Sequence, residues 1–204
     1  YKPDFESYLV DILPRPDFRE NELIRAIHDL DPKIVVSTNY DLIYEGVCAE
    51  EIRTGLMITK TYLDENIVDS IRSGSRLYIY AHGCIKSPAH IVLTTSQYYK
   101  SKRKYPGFYA VLESLFMTST VIFVGYSLRD PDIQLLFESN GLKARSSRKH
   151  LLITQKGNHN AVISAMEAKY DLKVIEYTKG HHEQVHQYFS SIFQDVEKKR
   201  AVGV

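Results

Sequence analysis

The sequence predicts an α/β protein with a Rossmann-like, mostly parallel sheet and helices on both faces of that sheet. Two observations favour this class. Short runs of β-branched and aromatic residues alternate along the chain with segments whose apolar residues recur at helical spacing. The most apolar runs, residues 34–36 and 121–124, lack the polar alternation of a half-exposed strand. We therefore expect 34–36 to be a buried strand and 121–124 to be a strand buried on both faces, as in a parallel sheet covered by helices.

The first half of the chain predicts two helices and then several strands. Asp4 can cap a short helix that ends before Pro14, because proline disrupts a helix interior. A second helix ends before the first strand, and a third begins near Asp41. The remaining elements are one strand or a strand pair within 54–63, a strand over 77–81, a short strand over 91–94, and a helix capped by Ser96.

The second half repeats the pattern of helix and strand. Apolar spacing predicts a helix over 108–116, and Asp130-Pro131 and Asn140-Gly141 have the residue types that begin and end a helix. The further elements are strands at 121–124, 151–153 and 172–177, a helix over 160–170, and a final amphipathic helix after Gly180. The alternation continues to the end of the chain, so we expect one domain over residues 1–204.

Composition excludes several classes of protein. The 204 residues are 44% hydrophobic and 25% charged, which is ordinary for a globular domain. A net charge of +1 gives no overall field that would attract nucleic acid or an anionic membrane. No apolar run approaches the roughly 20 residues of a membrane span. Cys48 and Cys84 are too few for a disulfide framework or a four-cysteine zinc site, and we expect a cytoplasmic protein.

Polar residues follow three of the predicted strands at the point where each strand ends. They are Thr38, Asn39 and Asp41 after the first strand, His82 after the second, and Gly125 and Ser127 after the third. Ligands of open parallel sheets bind outside the carboxyl ends of the strands. We therefore expect these residues to line one crevice.

Each of these residues also has a structural interpretation. Asp41 is a suitable helix cap, and Asn39 is a common turn residue. A single histidine such as His82 is more often a packed or surface residue than a catalytic one. However, an imidazole at the mouth of an apolar strand, followed by Gly83, suits proton transfer near neutral pH.

Two other motifs need an interpretation. His182-Glu183-Gln184-Val185-His186 matches the H-E-x-x-H pattern of zinc hydrolases, although His186 falls at the edge of an apolar helical face, which favours a packing helix. Basic clusters occur at 100–104 and 143–149. We interpret them as solvated loops, with a partner surface or phosphate contacts as the alternative.

Taken in order, the three strand ends resemble the sirtuin-like (silent information regulator two) family, and most closely its prokaryotic branch of NAD-consuming defence effectors. The segments that carry the resemblance are residues 37–41, His82-Gly83 with 91–94 and Tyr98, and 123–131. The resemblance implies a Rossmann-like NAD-binding fold and cleavage of the nicotinamide–ribose bond of NAD+, with no metal.

The resemblance also implies roles for the six residues. Asn39 would hold the attacking water or the nicotinamide ribose, His82 would act as general base, and Asp41 would contact the carboxamide. Gly125 and Ser127 would line the ribose and phosphates, and Thr38 would flank the site. Protein deacylation is not expected, because two cysteines cannot build the zinc ribbon of deacylating sirtuins.

One departure from the family pattern concerns the phosphate-binding loop. The glycine-rich loop that cradles the pyrophosphate in the family does not precede Asp31, so we expect this chain to lack that segment and to be part of a longer protein. Its partners would be NAD+ and either further copies of itself or a regulatory protein or domain. The alternatives are a non-catalytic nucleotide-binding or oligomerisation module and, less favoured, a zinc hydrolase that uses His182 and His186.

Overall fold

The computed structural model describes residues 2–12, 22–126 and 149–201. The chain divides into two compact units, one formed by Tyr1–Val111 with Ser191–Val204 and the other by Leu112–Ser190. Each unit contains a three-stranded parallel sheet, and helices separate the strands along the chain. The α/β class predicted from the sequence is confirmed.

The first unit contains three strands and most of the helices. The strands are β1 (Ile34–Ser37), β2 (Met57–Thr61) and β3 (Arg76–Tyr80). The helices are α1 (Lys2–Ile12), α2 (Glu22–Asp29), α3 (Ile43–Val47), α4 (Ala49–Arg53), α5 (Ile67–Arg72) and α6 (Thr95–Lys104), with a 3-10 turn at Pro88–His90. Helix α7 (Pro106–Thr118) follows α6, and the last helix, Glu183–Ala201, spans residues of both units.

Strand β3 lies between β1 and β2, and all three strands are parallel. Ser37 of β1 and Thr61 of β2 are both in register with Tyr80, so the three strands end at the same edge of the sheet. Residues 77–80 are all buried, as a strand covered on both faces should be. The most buried strand, β3, is therefore at the centre of the carboxyl edge of this sheet.

The second unit contains β4 (Ile122–Val124), β5 (His150–Gln155) and β6 (Leu172–Tyr177), with β5 in the middle. Helix α8 (Asn160–Tyr170) joins β5 to β6. The final helix, Glu183–Ala201, is α9. The core of this unit is apolar and aromatic, and its buried members are Phe116, Phe123, Leu152, Tyr170 and Leu172.

The structure corrects the expectation that the apolar run 34–36 is buried and that the run 121–124 is buried on both faces. Val36 in β1 is 40% exposed and Ile122 in β4 is 36% exposed. Both strands pair on one side only within the described residues, because each lies at the edge of its three-stranded sheet. An apolar run therefore predicted a strand correctly here but overstated its burial.

Several element boundaries also differ from the prediction. Residues 91–94 form no strand but an irregular segment, in which Val92 N–H donates to the His82 carbonyl. The cap of α6 is Thr94 rather than Ser96. Helix α1 begins at Lys2, before Asp4. The helix expected after Asp130-Pro131 and most of the second basic cluster lie outside the described residues.

A candidate active site at the ends of β1 and β3

The chain leaves β1 through a tight, hydrogen-bonded turn. Asn39 N–H donates to Ser37 Oγ at 3.1 Å, and Ile43 N–H donates to Asp41 Oδ1 at 2.9 Å. Asp41 Oδ1 thus accepts the N–H of the first residue of α3 in an Asx turn, whereas the N-cap residue of this helix is Leu42, which makes no side-chain cap hydrogen bond. The Asn39 side chain is exposed and has no hydrogen-bond partner among the described residues, so its amide is available to a ligand.

His82 lies directly after β3 in a buried segment. Only 6% of His82 is exposed, and the edge of its ring faces Tyr98, with the two ring centroids 6.1 Å apart. Gly83 follows with φ of 79°, and a Cβ at this position would lie 2.7 Å from the carbonyl oxygen of His90. Because only glycine tolerates both the backbone conformation and this contact, Gly83 allows the chain to fold closely around His82.

The loops after β1 and β3 are joined by four hydrogen bonds. Ala81 N–H donates to the Ser37 carbonyl at 2.9 Å, and Ile85 N–H donates to the Tyr40 carbonyl at 2.9 Å. The Tyr40 hydroxyl donates to the Val92 carbonyl at 2.9 Å, and the Tyr80 hydroxyl donates to the Asp41 carbonyl at 3.2 Å. The structure therefore brings Thr38, Asn39, Asp41 and His82 to one edge of the first sheet. That these four residues form a ligand site stays a prediction.

Three tyrosine rings pack against one another in the core next to this edge. Tyr44 stacks on Tyr78 with centroids 4.8 Å apart, and Tyr78 meets Tyr80 edge-on at 4.7 Å. A tyrosine hydroxyl keeps its proton at neutral pH, and burial raises the pKa of all three phenols further above it. The Tyr80 hydroxyl can therefore serve as a permanent donor to the Asp41 carbonyl.

Two buried thiols lie in the same layer. Cys48 and Cys84 are unpaired, and both belong to the core cluster that contains the tyrosines. Burial raises the pKa of Cys48 to about 11 and also raises that of Cys84. Both cysteines are therefore neutral core residues rather than nucleophiles.

An ion pair between helix α3 and the loop after β3 adds a further connection. Lys86 pairs with Glu45, whose side chain is only 11% exposed. Neither this pair nor the hydroxyls of Tyr40 and Tyr80 were among the candidate residues. Spacing along the strand could have indicated one of them, because Tyr78 and Tyr80 at alternate positions must face the same side of the sheet. The partners of these residues depend on distant segments and carry no local signal.

The other two predicted site residues belong to a different part of the chain. Gly125 follows β4 in the second unit with φ of 79° and is exposed, and a Cβ at this position would meet no described atom within 4 Å. Ser127 lies outside the described residues. That Gly125 and Ser127 share a crevice with His82 stays a prediction.

The two histidines of the H-E-x-x-H motif have separate partners. His182 precedes α9, and its Nδ1 lies 3.1 Å from the Tyr177 hydroxyl. His186 is on the helix, with Nε2 3.3 Å from Ser190 Oγ. Among the described residues, no three His, Cys, Asp or Glu side chains are placed to share a metal ion. The arrangement is that of a packing helix, in which Val185 and Phe189 are buried.

One further property of the helices concerns membranes. None of the helices in the part of the chain that the structure describes combines the length and the apolar character needed to cross a bilayer.

Comparison with known proteins identifies relatives of this chain. The protein named defense-associated sirtuin 2 of Bacillus subtilis is 25% identical over 126 residues, which cover 58% of this chain and 12% of that protein. The protein named NAD(+) hydrolase ThsA of Bacillus cereus (strain MSX-D12) is 24% identical over 139 residues, covering 68% of this chain and 28% of that protein. The chain thus spans less than a third of the length of either relative.

The family model for the SIR2-like domain matches residues 33–175. The match begins just before β1, takes in Asn39, Asp41 and His82, and continues into β6. It covers well over half of the chain and includes strands of both units. The chain therefore belongs to the SIR2-like family.

Proposed function

We propose that this chain is the NAD+-hydrolysing part of a larger defence protein, and that it cleaves NAD+ to nicotinamide and ADP-ribose. The observation that carries the proposal is the shared edge of β1 and β3, where the buried imidazole of His82 and the exposed amide of Asn39 follow strands in register. Family membership and the name of one relative, an NAD(+) hydrolase, support the choice of substrate.

The reaction asks little of the protein beyond positioning and proton transfer. The oxygen of a water attacks C1′ of the nicotinamide ribose, and the bond from C1′ to the pyridine nitrogen breaks. Its electron pair neutralises the positive nitrogen, so the leaving group needs no proton. His82 takes the proton from the water, and Asn39 orients the water or the ribose.

The remaining assignments follow the same scheme. Asp41 has a second carboxylate oxygen that can accept a hydrogen bond from the nicotinamide carboxamide, since Oδ1 already accepts the Ile43 N–H. Thr38 flanks the site, and Gly125 and Ser127 are assigned to the ribose and phosphates of NAD+.

Two buried thiols without a disulfide fit a reducing compartment, so we place the protein in the cytoplasm. Because uncontrolled loss of NAD+ is toxic, we expect a homo-oligomer or a regulatory partner to control it.

Release of nicotinamide from NAD+ by the full-length protein tests the proposal. We expect His82→Ala to lower the rate by about 10²- to 10⁴-fold, the usual contribution of a general base. Asn39→Ala should lower it by about 10²-fold through misplacement of the reacting groups. His90→Ala is the matched control, because the His90 side chain is exposed and its structural contacts use the backbone carbonyl.

Other outcomes would favour the alternatives. Bound NAD+ with no nicotinamide release, unchanged by Asn39→Ala, would indicate a non-catalytic nucleotide-binding module. Stoichiometric zinc that is lost in His182→Ala and His186→Ala would indicate zinc hydrolysis instead. Release of nicotinamide at the wild-type rate by His82→Ala would exclude this histidine as the base.

A further inference from the structure

Tyr40 lies between Asn39 and Asp41 and bonds twice to the segment that follows β3. Its carbonyl accepts the Ile85 N–H at 2.9 Å. Its hydroxyl donates to the Val92 carbonyl at 2.9 Å, although the two residues are 52 positions apart in the chain. A single residue between two members of the candidate active site therefore ties the loop after β1 to the loop after β3, with both its backbone and its side chain.

The residue that receives the Tyr40 hydroxyl also holds the backbone of His82. Val92 N–H donates to the His82 carbonyl at 2.9 Å, so Val92 uses its carbonyl toward one loop and its N–H toward the other. Val92 is only 5% exposed, and water therefore does not readily replace a partner lost from its carbonyl. The side chain of Tyr40 and the backbone of His82 are joined through one buried residue.

The same segment leads into the helix that orients the His82 ring. Thr94 and Gln97 form a reciprocal capping box at the start of α6. In the first turn of this helix, Tyr98 is 4% exposed and meets the His82 ring edge-on, with centroids 6.1 Å apart. Tyr98 packs in turn on Tyr109, with centroids 5.5 Å apart. The backbone and the ring of His82 are thus both held by residues of the stretch 92–98.

We infer that Tyr40 is a positioning residue, which sets the distance and the angle between the Asn39 amide and the His82 imidazole. The inference rests on the proposed hydrolysis of NAD+, in which Asn39 orients the water or the ribose and His82 takes the proton. Neither loop fixes this separation by itself, because Asn39 follows β1 and His82 follows β3. A displacement of about 1 Å costs as much as 10²-fold in rate. Tyr40 acts through Val92 and not on the substrate.

Tyr62 provides a matched comparison. This buried tyrosine follows β2, and its hydroxyl donates to the His90 carbonyl at 2.7 Å, two residues before Val92. The bond is of the same kind as that of Tyr40 and reaches the backbone of the same segment. Tyr62→Phe removes it but keeps both bonds of Tyr40 and the bond from Val92 to His82. If the Tyr40 hydroxyl were only a structural bond, the two variants would have equal consequences.

Nicotinamide release and urea unfolding of the full-length protein test the inference. Tyr40→Phe and Tyr62→Phe each lose one hydroxyl-to-carbonyl bond, so both should lower the urea midpoint by a similar amount. We expect only Tyr40→Phe to lower kcat, by about 10- to 10²-fold, with KM changed by less than about twofold. Hydrogen–deuterium exchange gives a second readout that needs no turnover. The amides of Ile85 and Val92 should exchange faster in Tyr40→Phe than in Tyr62→Phe.

The contrary results separate this inference from the proposed function. Equal kcat values in the two variants, or equal exchange of the Ile85 and Val92 amides, would overturn the positioning role. A rise in KM at unchanged kcat would also overturn it, because that result would assign Tyr40 to the binding of NAD+. If the wild type is active, His82→Ala is inactive and Tyr40→Phe keeps the wild-type kcat, only the positioning role fails. Absence of nicotinamide release from the wild-type protein would refute the proposed hydrolysis itself, and the positioning role with it.

Discussion

Two histidines in this protein are almost equally buried and occupy opposite ends of comparable strands. His82, 6% exposed, follows the carboxyl end of β3, the central strand of the first sheet. His150, 7% exposed, begins β5, the central strand of the second sheet. His150 Nδ1 accepts the Val121 N–H at 3.1 Å, and its ring packs edge-on against Phe116. Equal burial therefore says little about function, whereas position at the carboxyl end of a parallel strand points to a ligand.

The core clusters of the two units also differ in composition. The first core cluster contains Tyr44, Tyr78 and Tyr80, and the Tyr80 hydroxyl extends to the backbone beside the candidate site. The second cluster is built mainly from phenylalanine and leucine. A polar aromatic layer can hold catalytic loops in place because its hydroxyls reach the loop carbonyls, and an apolar layer can only pack. Four variants test this difference.

Gly83→Ala should have the largest effect, and Gly125→Ala is its matched control. Both glycines follow a strand with φ of 79°, but only the Cβ at position 83 would meet a backbone oxygen at 2.7 Å. We expect Gly83→Ala to lower the free energy of unfolding by roughly 2–5 kcal/mol, from backbone strain and overpacking together. Gly125→Ala should cost only about 1–2 kcal/mol, the strain alone. Urea titration gives both values, and equal losses would contradict the proposed crowding around His82.

Tyr80→Phe should have a moderate effect on both stability and catalysis. It removes the hydrogen bond to the Asp41 carbonyl and should cost about 0.5–1.5 kcal/mol of unfolding free energy. Nicotinamide release should fall mainly through kcat, because the substrate-facing residues are displaced rather than removed. Tyr44→Phe is the control from the same layer. Its hydroxyl is buried beside the Cys48 thiol, a weak partner, so its loss should be nearly neutral. If Tyr44→Phe impaired turnover as much as Tyr80→Phe, the hydroxyl bond would not be the cause.

Thr94→Ala should cost about 1 kcal/mol of unfolding free energy, because Thr94 accepts the Gln97 N–H at the start of α6. Ser96→Ala, at the position that the sequence favours as the cap, should change it by less than about 0.5 kcal/mol. Since α6 holds Tyr98 against His82, Thr94→Ala should also lower nicotinamide release. Thermal and urea unfolding of the two variants distinguishes the caps, and a larger loss in Ser96→Ala would identify Ser96 as the cap instead.

His150→Gln should have the smallest effect, visible only as a change in pH dependence. Burial lowers the pKa of His150, an effect partly offset by Asp171, whereas the unfolded chain binds a proton near pH 6.5. The contribution of His150 to the wild-type free energy of unfolding therefore has its full value above about pH 6.5. It decreases as the pH falls below that value. Glutamine keeps an acceptor for Val121 N–H but does not titrate, so the decline between pH 7.5 and 5 should be shallower. An unchanged slope in His150→Gln would mean that His150 is protonated equally easily in the folded and in the unfolded chain.

Much of the local structure was predictable from the sequence. The limits of α8 and β6 agree with prediction, and strands were expected at β1, β3, β4 and β5. These elements depend on the period of apolar residues, which neighbouring positions supply. The polar residues after β1 and β3 were predictable for the same reason, since a strand end is visible where an apolar run stops at Ser37 or Ala81.

The tertiary structure alone decided how these pieces are held together. The segment 91–94 has the composition of a strand, yet the backbone N–H and carbonyl of Val92 bond to the His82 carbonyl and the Tyr40 hydroxyl instead of joining a sheet. Val36 of β1 is 40% exposed although it belongs to a wholly apolar run, and among the described residues its strand pairs on one side only. The sequence by itself indicated the family and the two strand ends after which Thr38, Asn39, Asp41 and His82 lie. Which hydroxyl and which carbonyl support them depended on contacts between residues about 40–50 positions apart, for which local periodicity carries no information.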